Sequence, residues 1–277
     1  MAAGGTLDVL VVTGGHPFES EPFFAIFDEL ADTAVDMAWT AAKEPERGHD
    51  VVVFYDMPGL RFTGGDPPLE YVEPSPGQRL VFSDLCRDGT GLVFLHHAVA
   101  SWPAWDGFAE LVGARFHYRA GTLGGVNYPD SGYLFDVTHT VEILDQTHPV
   151  CADLGTSFRI TDELYCFPVL TEQVTPLMRT RFDTADDTEF YSADLAIRGR
   201  VNDRDGWTHP PGSDLVAWAR HVDRSRLVYL QFGDGAATYA DPSFRTALSN
   251  AVNWTARLQR SSLRRCNDPT SGGGAIT

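Results

Sequence analysis

His16, His96, His97, Asp162, Glu163 and Tyr165 carry the side chains best suited to acid–base or metal chemistry. Imidazole changes charge near neutral pH, so it can take or give a proton and, when neutral, bind a metal. His96 and His97 directly follow the apolar run Leu92-Val93-Phe94-Leu95, and His16 follows Leu7 to Thr13 through the pair Gly14-Gly15. Asp162 and Glu163 stand just ahead of Tyr165. A carboxylate enclosed in a pocket is a suitable general acid or base, and a tyrosine hydroxyl can donate to a substrate oxygen. His16, His97 and one carboxylate would suit zinc or a similar divalent ion. The chain has no HExxH-type spacing to name the metal, so the metal is left open. Each residue also has a plainer reading: a histidine can cap a turn, and an acidic pair can simply be solvated.

The elements that hold these residues follow from hydropathy. Leu7 to Thr13, Asp50 to Tyr55 and Gly91 to Leu95 are short apolar runs, the signature of strands buried on both faces. Helical spacing separates them: Phe23, Phe24, Phe27 and Leu30; then Leu80, Phe82 and Leu85; then Trp105, Phe108, Leu111 and Val112 from Pro103 onward. This alternation predicts a doubly wound parallel sheet with the three runs as neighbouring strands. Ligands of such sheets bind outside the carboxyl ends of the strands, where His16, His96 and His97 fall. Gly15 lets a ligand approach the backbone, and Trp102 could stack on a flat ligand face. Asp136 to Leu144 alternates apolar and polar residues, as a half-exposed antiparallel strand does. Leu177 to Arg181, Leu215 to His221 and Arg226 to Phe232 read as further strands, and a last helix runs through Phe244, Leu248, Val252 and Leu258. The Gly- and Pro-rich stretches Gly59 to Gly77 and Gly121 to Gly132 read as loops, the first as a lid or as the interface of a homo-oligomer.

The chain has 277 residues, 43% of them hydrophobic, enough to bury a full core in one α/β domain over residues 1–260. Residues 261–277 are polar and glycine-rich, the composition of a disordered tail. A net charge of -17 argues against nucleic acid and against an anionic membrane surface. No export signal precedes the first strand. The four cysteines, Cys86, Cys151, Cys166 and Cys266, lack framework spacing. They are therefore expected to be free thiols in a cytoplasmic protein.

Five features in order resemble the ThuA-like (trehalose utilisation) family. They are Gly14-Gly15-His16 after the first strand, the buried strand ending in histidine, His148-Pro149, and Asp162-Glu163-Leu164-Tyr165. The fifth is a closing strand, a glycine loop and a helix opening Asp241-Pro242 and ending in Trp254. The similarity covers residues 7 to 258. It implies the class I glutamine amidotransferase-like fold, a flavodoxin-like three-layer sandwich with a mainly parallel central sheet plus extra antiparallel strands. The amidotransferases place a nucleophilic cysteine at the elbow where this chain has His96 or His97, so cysteine-based amide hydrolysis is not expected. The resemblance further implies a small-molecule carbohydrate as ligand, trehalose or a related disaccharide, in the form of a 3-keto sugar. The reaction would be a hydrolysis, elimination or isomerisation. One departure stands out: the family commonly has Gly-His after its last strand, and this chain has Gly233-Asp234. Asp234 therefore joins the candidate substrate-binding residues. A sugar-binding or regulatory module without catalysis is the alternative on the same fold.

Overall fold

The first strand, β1 (Leu7–Gly14), sends Val9 and Val11 into one apolar layer and Leu10 and Val12 into the other. Helix α1 (Ser20–Asp32) covers one layer with Phe23, Ile26, Phe27 and Leu30, the i, i+3, i+4, i+7 stripe of an amphipathic helix. The structure, a computed structural model, describes residues 6–33, 36–182 and 189–256. The chain continues through β2 (Met37–Ala42), β3 (Val51–Asp56), β4 (Leu60–Phe62) and β5 (Leu69–Tyr71) to α2 (Pro76–Asp88). Ser75 and Gln78 close α2 with a reciprocal capping box, and left-handed Gly89 ends it. Strand β6 (Gly91–Leu95) passes into a 3₁₀ turn, His96–Ala100, and then α3 (Asp106–Val112). After β7 (Gly121–Leu123) and β8 (Val126–Tyr128) come the long strands β9 (Gly132–Ile143) and β10 (Ser157–Cys166). β11 (Thr175–Thr180), β12 (Tyr191–Ser192), α4 (Ala193–Ile197), β13 (Leu215–Val222), β14 (Ser225–Leu230), α5 (Ala236–Tyr239) and α6 (Pro242–Ala256) complete the order.

Strands β2-β1-β3-β6-β14 run parallel in that spatial order, the doubly wound arrangement, with β1, β3 and β6 adjacent as expected. β13, β11, β9 and β10 extend the sheet antiparallel, and β12 adds to β9. Three local readings change. β2 escaped notice because it lies at the sheet edge and buries only Met37, so it lacks an interior strand's apolar run. The two stretches read as loops each hold a small hairpin, β4-β5 and β7-β8. Helix α3 starts at Asp106 rather than Pro103. The expected tail from Ser261, Leu258 and Cys266 lie outside the described residues, and the other three cysteines are buried. No helix among the described residues is long and apolar enough to cross a membrane.

One irregularity decides where the site forms. β10 is five strands away from β6, a distance of about 24 Å in a flat sheet at the usual strand spacing. Yet Glu163 of β10 lies 3.0 Å from His96. The two ends meet because the β9-β10 ribbon bends back. Opposite Glu163 the pairing skips, Asp162 facing Val137 and Leu164 facing Leu134, and Asp136 takes a left-handed φ of 55°. An extra residue of this kind bends its strand and sharpens its twist.

Burial also sets the pH limits of the fold. His117 and His139 are 4% and 5% exposed. Loss of water pushes both side chains down to about 4, with Arg115 adding to the effect at His117. The unfolded chain takes up these protons near pH 6.5, whereas the folded chain resists until about pH 4. Between those values the unfolded state binds more protons, so stability falls as pH falls, by up to about 3 kcal/mol per histidine. The urea midpoint should therefore drop steadily from pH 7 to pH 4, and His139→Gln should flatten that slope.

Candidate active site

His96 is the first residue after β6, and it adopts a left-handed φ of 48°. A non-glycine residue holds such a conformation only when its surroundings over-determine it. Three bonds do so here. Its carbonyl accepts from the Tyr229 hydroxyl at 3.0 Å. Its Nδ1 lies 2.7 Å from the Gln231 carbonyl, which can only accept, so Nδ1 carries a hydrogen. Its Nε2 faces Glu163 Oε2 at 3.0 Å, the Tyr165 hydroxyl at 2.9 Å and Asp234 Oδ1 at 3.6 Å.

That geometry fixes the electrostatics. With Nδ1 donating, a neutral His96 would aim its remaining lone pair at two carboxylates. A cation at Nε2 removes the conflict. The proton is one such cation: burial pulls the His96 pKa down, but the bonds to Asp234 and Glu163 outweigh it and hold the pKa well above the ordinary value. Burial raises Asp234, yet His96 more than reverses this and leaves it below the usual carboxylate range. A divalent metal is the other cation. His96, Glu163 and Asp234 place one donor atom each within 4.8 Å of one another. A ligating histidine whose second nitrogen donates to a backbone carbonyl is the usual support for such an ion, and three protein donors with an open position suit a reactive zinc. The donor set therefore fits zinc, although it is not the set the sequence indicated. His97 is turned away, with Nε2 3.3 Å from the Tyr55 carbonyl.

The remaining candidates divide by role. His16 and His97 stack at 4.6 Å between ring centroids. Burial first, then the charge of His96, lowers both pKa values, His97 strongly. Both are therefore neutral at pH 7. They differ in access: His97 is 3% exposed and its Nδ1 is sealed, while His16 is open at the rim. Asp162 faces the other way from Glu163. It accepts from the backbone N–H groups of Gly233 (2.8 Å) and Asp234 (3.0 Å) and so clamps the loop that presents Asp234. The Tyr55 hydroxyl secures the same loop from the far side, donating to the Gly233 carbonyl at 2.6 Å. Burial keeps Tyr165 well above its ordinary pKa and hence protonated. Gly15 serves packing: at φ +78° its Cα meets Met57, and a Cβ there would lie 2.4 Å from the Met57 carbonyl oxygen. Trp102 is buried in the apolar layer and does not line the cavity.

That cavity, of about 230 Å³, opens beside the cluster. His16, His97, Glu163 and Tyr165 form its polar part. Much of the rest comes from residues the sequence reading passed over: Phe116, Tyr118, Tyr133, Phe135, Ile197 and Val201. A signal existed, since Tyr133 and Phe135 share strand parity. Nothing in their local pattern distinguishes a cavity wall from core.

A histidine elbow after the fourth parallel strand, backed by a carboxylate from an antiparallel extension, defines a protein of the glutamine amidotransferase-like fold without the amidotransferase cysteine. Residues 8–255 match the family model of ThuA, trehalose utilisation, and the chain belongs to that family. Among solved structures, a thua-like protein from Parabacteroides merdae superposes with a TM-score of 0.63 at 13% identity, covering 91% of this chain and 90% of that one. A thua-like protein from Bacteroides uniformis gives 0.59 at 18% identity, covering 92% and 93%. A cytoplasmic protein from Salmonella typhimurium gives 0.52 at 10% identity, covering 90% and 99%. At these identities the likeness shows the fold. No functionally curated protein matches the sequence.

Calorimetric titration with zinc checks the donor set. One ion per chain should bind. His96→Ala or Glu163→Gln should weaken binding by roughly 10- to 100-fold or more, the scale seen when a metal's support is lost. His97→Ala should leave it nearly unchanged. Loss in His97→Ala with retention in His96→Ala would restore the set first read from the sequence.

Proposed function

We propose that this chain is a cytoplasmic enzyme that removes a proton beside the carbonyl of an oxidised sugar, a 3-keto glycoside, and so opens it to elimination or isomerisation. The geometry that carries this reading is His16 at the rim of the cavity and His96 buried beside it between Glu163 and Asp234, settings that lower the pKa of the first and raise that of the second. Environments that push titratable groups apart in this way assign acid and base. His16 takes the proton from carbon, and the electron pair moves into the adjoining C–C bond, leaving negative charge on the former carbonyl oxygen. Tyr165, kept protonated by burial, donates a hydrogen bond to that oxygen. A divalent ion held by His96, Glu163 and Asp234 would polarise the carbonyl and stabilise the same charge. His97 backs the ring of His16 and holds it in place. Family membership supports a sugar as the substrate class.

Incorporation of deuterium from D2O into 3-keto-trehalose or a 3-keto glucoside, followed by mass spectrometry, tests the step directly. The protein should catalyse exchange, and His16→Ala should slow it by roughly 100-fold or more, the usual scale for a lost general base. The rate should fall as pH drops through the lowered pKa of His16, below 6.5, because the base is then protonated. Where no ion is bound, it should also fall at high pH, through the raised pKa of His96. Binding of a keto sugar without exchange or turnover would instead make the chain a sugar-binding module.

A further inference from the structure

The wall of the cavity is unequal in chemistry, and that inequality bears on the substrate. Most of its polar groups lie at the end with His16, Glu163 and Tyr165. Tyr118 donates its hydroxyl to Met57 Sδ at 2.7 Å, and the Tyr133 hydroxyl accepts from the backbone N–H of Asn202 at 2.9 Å, which leaves Tyr133 one hydrogen to give. Both tyrosines line the cavity. Around them stand Phe135, Ala196, Ile197 and Val201. Phe135 and Val201 are also exposed, at 44% and 62%, so the apolar wall continues outward to solvent.

This wall is built on purpose-made supports. Asp130 accepts from the Ser192 hydroxyl at 2.6 Å and from the backbone N–H of Asp194 at 2.9 Å, and Ser192 in turn caps α4 through the N–H of Leu195. Those bonds fix the helix that carries Ala196 and Ile197, and the Tyr133 bond to Asn202 fixes the turn beside Val201. A second pyranose ring of a disaccharide bears hydroxyls all around its edge. Buried against this wall, they would lose water and find no partner beyond the single Tyr133 hydroxyl hydrogen. An apolar ring loses nothing there, and aromatic faces favour it.

We propose that the site takes a glycoside with a sugar-derived head at the His16–Glu163 end and a flat, apolar aglycone against Tyr133, Phe135, Ile197 and Val201, in preference to a disaccharide. A cavity of about 230 Å³ is at the small end for ligand sites, so it encloses one ring and lets the aglycone emerge between Phe135 and Val201. The inference rests on the proposed function for the identity of the head, and its test reads binding alone.

Dissociation constants of the full chain for trehalose and for methyl and phenyl glucosides of both anomers, each also as its 3-keto derivative, decide the matter. Within the better-binding anomer, the phenyl compound should bind at least about 10-fold more tightly than the methyl compound, as expected for burying part of an aromatic ring. Trehalose or its keto form should bind no better than the methyl compound. Ile197→Asp and Phe135→Ala should each shrink the phenyl advantage several-fold, with a retained circular dichroism spectrum and cooperative thermal unfolding showing that the variants fold. Trehalose binding as tightly as the phenyl compound, a phenyl advantage unchanged in both variants, or no binding of any glycoside would overturn the inference. A phenyl preference with no deuterium exchange into the keto derivative would uphold it while removing the proposed reaction.

Discussion

The hydrogen bond from His96 Nδ1 to the Gln231 carbonyl is the constraint on which the site depends. It joins the end of β6 to the residue just beyond β14, its parallel neighbour. By fixing which nitrogen carries hydrogen, it leaves Nε2 as the face turned toward Glu163, Tyr165 and Asp234. A lone pair turned toward two carboxylates in a largely buried site is best relieved by a cation between them. The proton and the divalent ion are thus two solutions to one electrostatic problem, and the strained φ of His96 is the conformational cost of posing it.

Charge then propagates through the cleft. A cationic His96 disfavours a second positive charge nearby, so His97 and His16 stay neutral, and burial strengthens the effect. The carboxylates separate in role for a simpler reason. Asp162 and Glu163 are successive residues of one strand, and successive side chains point to opposite faces. Asp162 therefore organises the Gly233-Asp234 loop while Glu163 meets His96. Asp234 adds a second carboxylate to the cluster.

The elbow after β6 puts the left-handed His96 at the sheet's carboxyl edge, buried beside the cavity. A histidine between two carboxylates there is placed to hold a cation, not to act as a nucleophile. Cys86, Cys151 and Cys166 take no part: all are buried, with burial pushing Cys86 up to about 11 and Cys151 to about 12, far from a reactive thiolate.

The sequence by itself determined the adjacent parallel strands β1, β3 and β6, their covering helices and the strand ends bearing His16, His96 and His97. Those features depend on local periodicity and apolar runs, which neighbouring residues carry between them. It also marked Asp162, Glu163 and Tyr165 as a group, because their types and spacing are local as well. Tertiary structure alone set His96, rather than His97, between Glu163, Tyr165 and Asp234, with the Gln231 carbonyl fixing its ring. It alone made Trp102 core and Ile197 a cavity wall. Above all, the bend of β9 at Asp136 carried an edge strand back to the sheet's middle. No local pattern encodes such a bend, because its effect is to join residues sixty-seven positions apart, His96 and Glu163, whose contact exists only once the ribbon has folded over.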